Sequence, residues 1–180
     1  MKNINNMNFI QTYTGKQFNF LDPSIDSIDL FDIAHALSNL CRYSGHVKEF
    51  YSVAEHCVIL SEYVMLQTSD PAQALYALMH DASEAYLVDI PRPIKSHLKG
   101  YIELEKQITD QVMKKFNLVH SSVADYGDTN IIKDESVLLH GNLSWVNMYD
   151  HLGVNLYLWT PKEAENEFLK MFSKLRRTNG

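Results

Sequence analysis

No run of about 18 consecutive apolar residues occurs in this sequence, which argues against a membrane-spanning helix. Met1 to Phe9 is polar and rich in asparagine, with no apolar core of the secretory kind. Cysteine is scarce as well: Cys41 and Cys57 are the two, too few for a disulfide framework. Together these absences predict a cytoplasmic protein, neither secreted nor membrane-bound. Basic runs are missing except for Lys174-Leu175-Arg176-Arg177, which suits the last turn of a helix, where cations are favourable. With a net charge of -6, the chain offers no footprint for a nucleic-acid polymer. Internal repeats and low-complexity linkers are absent too.

What is present describes one globular domain. The 180 residues predict a single unit, 1–180, and 46% of them are hydrophobic. A chain of this size buries roughly 70% of the surface it exposes when unfolded. Thr14-Gly15-Lys16 between two short aromatic-containing runs predicts a small hairpin over 9–21, ended by Asp22-Pro23. From Asp29 the apolar residues Leu30, Ile33, Ala34, Leu37 and Leu40 recur at helical spacing. Arg42 to His46 reads as a loop. Ser52, with Glu55 three residues on, has the pattern of a reciprocal capping box. The helix after it carries Val53, Cys57, Leu60 and Val64 on one stripe. Asp70-Pro71 predicts the start of a helix that runs to about Val88. Further helices are expected from about Tyr101 to Phe116, from about Asn130 to Tyr149, and from Thr160-Pro161 onward. The expected fold is an all-α bundle of five to seven helices with a small N-terminal β-hairpin.

The polar residues on these inward stripes carry the chemistry. His56 lies on the stripe of Val53 and Cys57; alone, it reads as a core histidine bonded to a carbonyl. His80 taken alone reads the same way. The adjacent His80-Asp81 pair alters that reading, because a carboxylate buried there is costly without a counter-charge or a metal. Imidazole nitrogen plus carboxylate oxygen is a divalent-metal ligand set. The expected ligands are His56, His80, Asp81 and Asp134, the last in IIKDESVLL, where Ile131, Leu138 and Trp145 mark the predicted buried face. Helical bundles often build metal sites from side chains on facing helices.

RYSGHVKEFYSVAEHC, ALMHDASEAYLVDIPRPIK and KDESVLL occur in an order that resembles the HD-domain metal-dependent phosphohydrolases. The similarity covers about Thr12 to Tyr149. It is strongest to the small subgroup of 5'-deoxyribonucleotidases and deoxynucleotide triphosphohydrolases. The resemblance implies an HD-type fold, one divalent ion (Co, Mn, Mg, Zn or Fe) and a small nucleotide substrate. It implies that Glu84 and Asp89 act in catalysis. Arg42 and Lys95 are placed to meet phosphate, Tyr43 to offer an aromatic ring, and His46 and Arg92 to make further phosphate contacts. Family members assemble as homodimers or higher homo-oligomers, and the aromatic-rich segment Trp145 to Trp159 is a candidate apolar interface. Two departures stand out. Tyr43 occupies a position where the nucleotidases carry tryptophan. In the next turn or two after Asp134, where related proteins often carry a carboxylate, the sequence reads LLHGNLSW, and His140 and Asn142 are expected to alter the pocket or the oligomer contact. The expected reaction is hydrolysis of a P–O bond, releasing phosphate from a deoxynucleoside monophosphate. The alternatives are release of triphosphate from a dNTP, or nucleotide binding with little catalysis.

Overall fold

The computed structural model describes residues 8–139, 141 and 143–178. His140 and Asn142 lie outside the described residues. The chain is mostly helical, in keeping with the predicted class. In order it runs β1 (Phe9–Gln11), β2 (Gln17–Asn19), α1 (Leu30–Asn39), α2 (Val53–Thr68), α3 (Pro71–Met79), α4 (Glu84–Leu87), α5 (Arg92–Lys95), α6 (Tyr101–Phe116), α7 (Ser122–Asn130), α8 (Ile132–Leu139) and α9 (Pro161–Thr178). Helices α4 and α5 are single turns; the other seven are eight residues or longer. β1 and β2 pair antiparallel, with Ile10 opposite Phe18, and form the predicted hairpin. Its Phe18 is fully buried and stacks on Tyr86, 4.0 Å between ring centroids.

Helix α2 is the axis of the bundle. It packs against α1, α3, α7 and α9. Surrounded this way, it buries every residue from Val53 to Ser61, not only the predicted stripe of Val53, Cys57, Leu60 and Val64. Ser52 caps it as expected, accepting from the Glu55 amide at 3.1 Å. The other half of the predicted capping box is replaced. The buried Glu55 carboxylate accepts the amides of Tyr157, Leu158 and Trp159 at 2.7, 2.7 and 2.8 Å. It thereby ties down a segment that has no ladder partner for those groups. The full reciprocal box forms instead at α9, between Thr160 and Glu163. In the last turn of α9, Arg176 donates to the Phe116 carbonyl at the C-terminus of α6.

Two helix boundaries differ from the sequence-based expectation, and both shape the site. The helix begun at Pro71 stops at Met79 instead of running to Val88. The Ala77 carbonyl accepts from the Nδ1 of His80 at 2.7 Å. The amides of Ala82, Glu84 and Tyr86 bond three residues back, in a tighter winding than the α-helix. Val88, at φ 76°, then reverses the chain. The predicted helix from Asn130 to Tyr149 is in fact the last residue of α7, then α8 and a 3-10 turn, Ser144–Met148. Leu138 and Trp145, expected on its buried face, are 54% and 52% exposed. The inward residues of α8 are Asp134, Glu135, Ser136 and Leu139.

Helix α7 escapes a pattern reading because Gly127 sits in its middle. The structure supplies the reason for glycine there. A Cβ at this position would lie 2.6 Å from Leu60 Cδ1 and 3.1 Å from Tyr63 Cδ1, both on α2. Glycine allows α7 to lie close against α2. Gly127→Val should therefore destabilise the protein by about 1–3 kcal/mol, the usual cost of overpacking a filled core. Denaturant melts of the two proteins measure this, and a midpoint equal to wild type would contradict the close approach.

Candidate metal centre and cleft

His56 is fully buried on α2, and its Nδ1 is 2.7 Å from the Glu135 carboxylate. Burial opposes ionisation of Glu135. The Arg42 and His56 charges, with hydrogen bonds from His56 and Tyr43, outweigh it and hold the carboxyl at about 2. As a carboxylate it can only accept, so His56 Nδ1 carries a hydrogen and Nε2 is the ring nitrogen left to face the cluster, the one that could present a lone pair to an ion. His80 is fixed by the same logic, since its Nδ1 faces the Ala77 carbonyl. Locking the tautomer through the far nitrogen is how metal-ligating histidines are held.

The two Nε2 atoms lie 3.4 Å apart. Asp81 Oδ2 is 3.2 Å from that of His80 and 3.7 Å from that of His56. His56, His80 and Asp81 form a group whose donor atoms lie within 4.8 Å of one another and could hold a metal ion. Donors bound about 2.0–2.2 Å from one ion stand roughly 3–3.5 Å apart, so the residues fit such an ion. The donor chemistry agrees, because converging lone pairs and carboxylates need a positive charge among them. Burial disfavours a charged His80, but Asp81 draws its pKa well above the ordinary imidazole range.

The second acid beside this cluster is Asp128, not Asp134. Asp128 Oδ1 is 3.4 Å from His56 Nε2 and 3.6 Å from His80 Nε2. The buried Asp134 is fully engaged elsewhere. Its Oδ2 accepts from the Leu152 amide and its Oδ1 from those of Gly153 and Val154, at 2.9 to 3.1 Å. Asp134 is therefore withdrawn from the expected ligand set; it anchors the chain that follows the 3-10 turn. Sequence reasoning missed Asp128 because it missed α7. The available cue was Ser121, which caps that helix by accepting from the Ala124 amide.

The cluster lies against a cleft of about 790 Å³, lined by His80, Asp81, Glu84, Asp89 and Asp128 among others. Arg42 and Tyr43 also line it. They sit in a 3-10 turn, Arg42–Gly45, in which Tyr43 and Ser44 take positive φ. Arg42 approaches Glu135 at 3.3 Å and Asp81 at 3.7 Å, while its buried Nε has no hydrogen-bond partner among the described residues. Tyr43 donates to the same Glu135 carboxylate. Lys95 lines the cleft but is held by Glu105 at 2.6 Å and Glu84 at 3.4 Å. Arg92, on the lining too, is paired with Asp128. His46 is exposed at the end of the 3-10 turn and is not part of the cleft lining.

Glu84 is the electrostatic outlier. Burial, then the charges of Asp81 and Asp89, push its carboxyl up to about 9. Its Oε2 is buried without a hydrogen-bond partner among the described residues. Asp89 is raised from its ordinary value for the same leading reason, burial, with Arg42 pulling the other way.

The fold and this site define a class: an all-α protein with a candidate metal centre of histidine and aspartate in its core. The comparisons then place the chain more closely. It is 41% identical over 131 residues to the uncharacterized protein YfdR of Escherichia coli, an overlap of 72% of this chain and 71% of YfdR. It is 36% identical over 112 residues to the uncharacterized protein RCAP_rcc00048 of Rhodobacter capsulatus, 58% of this chain and 56% of that protein. The chain belongs to the family of YfdR. No family model matches it.

Two outcomes follow from this geometry. Asp128→Asn should reduce retention of a divalent metal, whereas Asp134→Asn should keep the metal and lower the melting temperature; elemental analysis and thermal melts separate the two. The second outcome concerns Glu84 in metal-free protein. A carboxyl whose folded pKa is raised from 4.5 to about 9 binds a proton in the folded state that the unfolded state has released. Its contribution to stability falls as pH rises through that window. Glu84→Gln should therefore raise the melting temperature of metal-free protein by several degrees at pH 8 and flatten the decline between pH 5 and 9. Parallel declines in the two proteins would contradict the shift.

Proposed function

We propose that this protein is a divalent-metal-dependent phosphohydrolase of the HD type that releases phosphate from a deoxynucleoside monophosphate. The observation that carries the reading is the convergence of two histidine Nε2 atoms and two carboxylates beside a cleft that Arg42 also lines. The ion would be held by His56, His80, Asp81 and Asp128. When bound, such an ion polarises a phosphoryl oxygen and lowers the pKa of a coordinated water.

The rest of the work falls to the chain's own groups. Arg42 lines the cleft and is clamped by Glu135 and Asp81, so its guanidinium would meet a phosphate oxygen at little cost in ordering. Glu84 lines the same cleft, and one of its carboxyl oxygens is buried without a hydrogen-bond partner among the described residues. Hydrolysis joins a water oxygen to phosphorus and breaks the bond to the 5' oxygen, which must gain a proton. A carboxyl kept protonated near neutral pH suits that donation, and its conjugate base can orient the attacking water. Asp89 stands by as a second acid in the cleft, and Lys95 fixes Glu84 from the side. Arg92 and Lys95 are already paired with acids, which favours one phosphate group over a triphosphate chain.

Purified protein loaded with Co, Mn, Mg or Zn should release phosphate from deoxynucleoside monophosphates. His80→Ala and Asp81→Ala should each lose both the metal and the turnover. Full activity in either variant would sink the assignment. Triphosphate as the product would move the reading to a dNTP triphosphohydrolase, and nucleotide affinity without turnover would move it to a regulatory binder.

A further inference from the structure

The cleft is larger than a metal ion and one phosphate group require, and part of its wall is apolar and aromatic. Its volume of about 790 Å³ is in the range of sites that enclose a whole small molecule. Beyond Asp128 the lining continues through Ile132, Trp145 and Tyr149, with Pro91, Pro93 and Ile102 supplying further apolar surface. Trp145 is 52% exposed and meets Tyr149 edge to face, the ring centroids 6.4 Å apart. A large aromatic ring left open to solvent gains nothing for the core.

The segment that carries this pair is firmly attached to the helices that carry the candidate ligand Asp128 and its neighbours. Lys133 on α8 donates to the Tyr149 carbonyl at 2.8 Å. The Asp150 amide donates to the Asn130 side chain at 2.8 Å, and Tyr126 donates to the Asp150 carboxylate at 2.6 Å. Both of those partners are on α7, flanking Asp128. The aromatic pair is thus held at a set place relative to the cluster instead of hanging on a free loop. Every nucleobase presents a π-face, so such a platform accepts a base with little regard to its identity.

We propose that Trp145, backed by Tyr149, is the stacking platform for the base of the substrate, and so a specificity-determining residue that separates nucleotides from base-less sugar phosphates. This rests on the nucleotide phosphohydrolase reading above. Two measurements on the full chain test it. The first compares kcat/KM for a deoxynucleoside monophosphate with that for deoxyribose 5-phosphate. Trp145→Ala should lower that ratio about tenfold, mostly through KM, and Trp145→Phe should restore most of it.

The second uses Trp159→Phe, in which Trp145 is the sole tryptophan. A non-hydrolysable phosphonate analogue of a deoxynucleoside monophosphate should quench its fluorescence, and deoxyribose 5-phosphate should not. Turnover of nucleotide with an unchanged ratio in Trp145→Ala and no quenching would overturn the stacking role and leave the hydrolase reading standing. Quenching by the analogue with no turnover in wild type would do the reverse. If Trp145→Ala instead splits an oligomer in sedimentation and lowers activity on both substrates equally, the ring is an interface residue and the proposal falls.

Discussion

A single buried carboxylate, that of Glu135, sets the geometry of the whole centre. It is fully buried and accepts from Tyr51 at 2.9 Å, from His56 at 2.7 Å, from Tyr43 and from Arg42 at 3.3 Å. An ionised carboxylate in a helical core is tolerable only when its lone pairs are filled in this way. Each donor is positioned by being needed there. His56 is held by its Nδ1, so its outer nitrogen is turned to the cluster. Arg42 is drawn out of the loop and against the cleft, and its turn takes up positive φ at Tyr43 and Ser44 to allow it. Removing one member of such a network leaves the others buried and unpaired, which typically costs 3–5 kcal/mol.

Buried acids serve as scaffolding in two more places. Glu55 gathers three amides of residues 157–159, and Asp134 gathers three of residues 152–154. Residues 151–160 run without regular secondary structure, so these carboxylates satisfy backbone donors that a sheet would otherwise satisfy. Asp134 and Glu135 are adjacent on α8, and both point inward to different tasks: one holds the chain, the other holds a histidine. Neither touches the place where a metal would sit. That role is open to Asp128, on a helix whose own sequence is barely amphipathic.

This division of labour explains what could be read from residues alone. The stripe of Val53, Cys57, Leu60 and Val64 states α2 plainly, because burial on a helix repeats with a period of 3.6. The caps at Ser52 and Asp70 are local chemistry and were legible for the same reason. His80-Asp81 stood out because charged groups are rare on such a stripe. Asp134 misled because an inward acid on a helix looks the same whether it binds an ion or three amides; only the partner 18 residues or more downstream distinguishes them. Helix α7 was hidden because Gly127, which reads locally as a helix breaker, is there for a contact with α2 that a linear pattern does not contain. The stop at Met79 was hidden too, since it depends on a histidine side chain capturing a backbone carbonyl.

The cleft joins two surfaces of opposite character, and the helix order accounts for it. The turn after α3 delivers His80, Asp81 and Glu84 to one region, where acids crowd until one of them must hold its proton. Such crowding is unfavourable for a fold that has no use for it, because a hydrophobic residue at Glu84 would relieve both the desolvation and the repulsion. The chain after α8 delivers apolar and aromatic side chains to the same cavity, tied to α7 by Asn130 and Tyr126. On the proposed reading, with an ion bound at the cluster, a ligand that fills both would be anionic at one end and flat and apolar at the other. The proposed nucleotide would meet both demands within one small molecule, whereas free phosphate would leave the aromatic wall bare and a nucleoside would bring no phosphate to the cluster and Arg42.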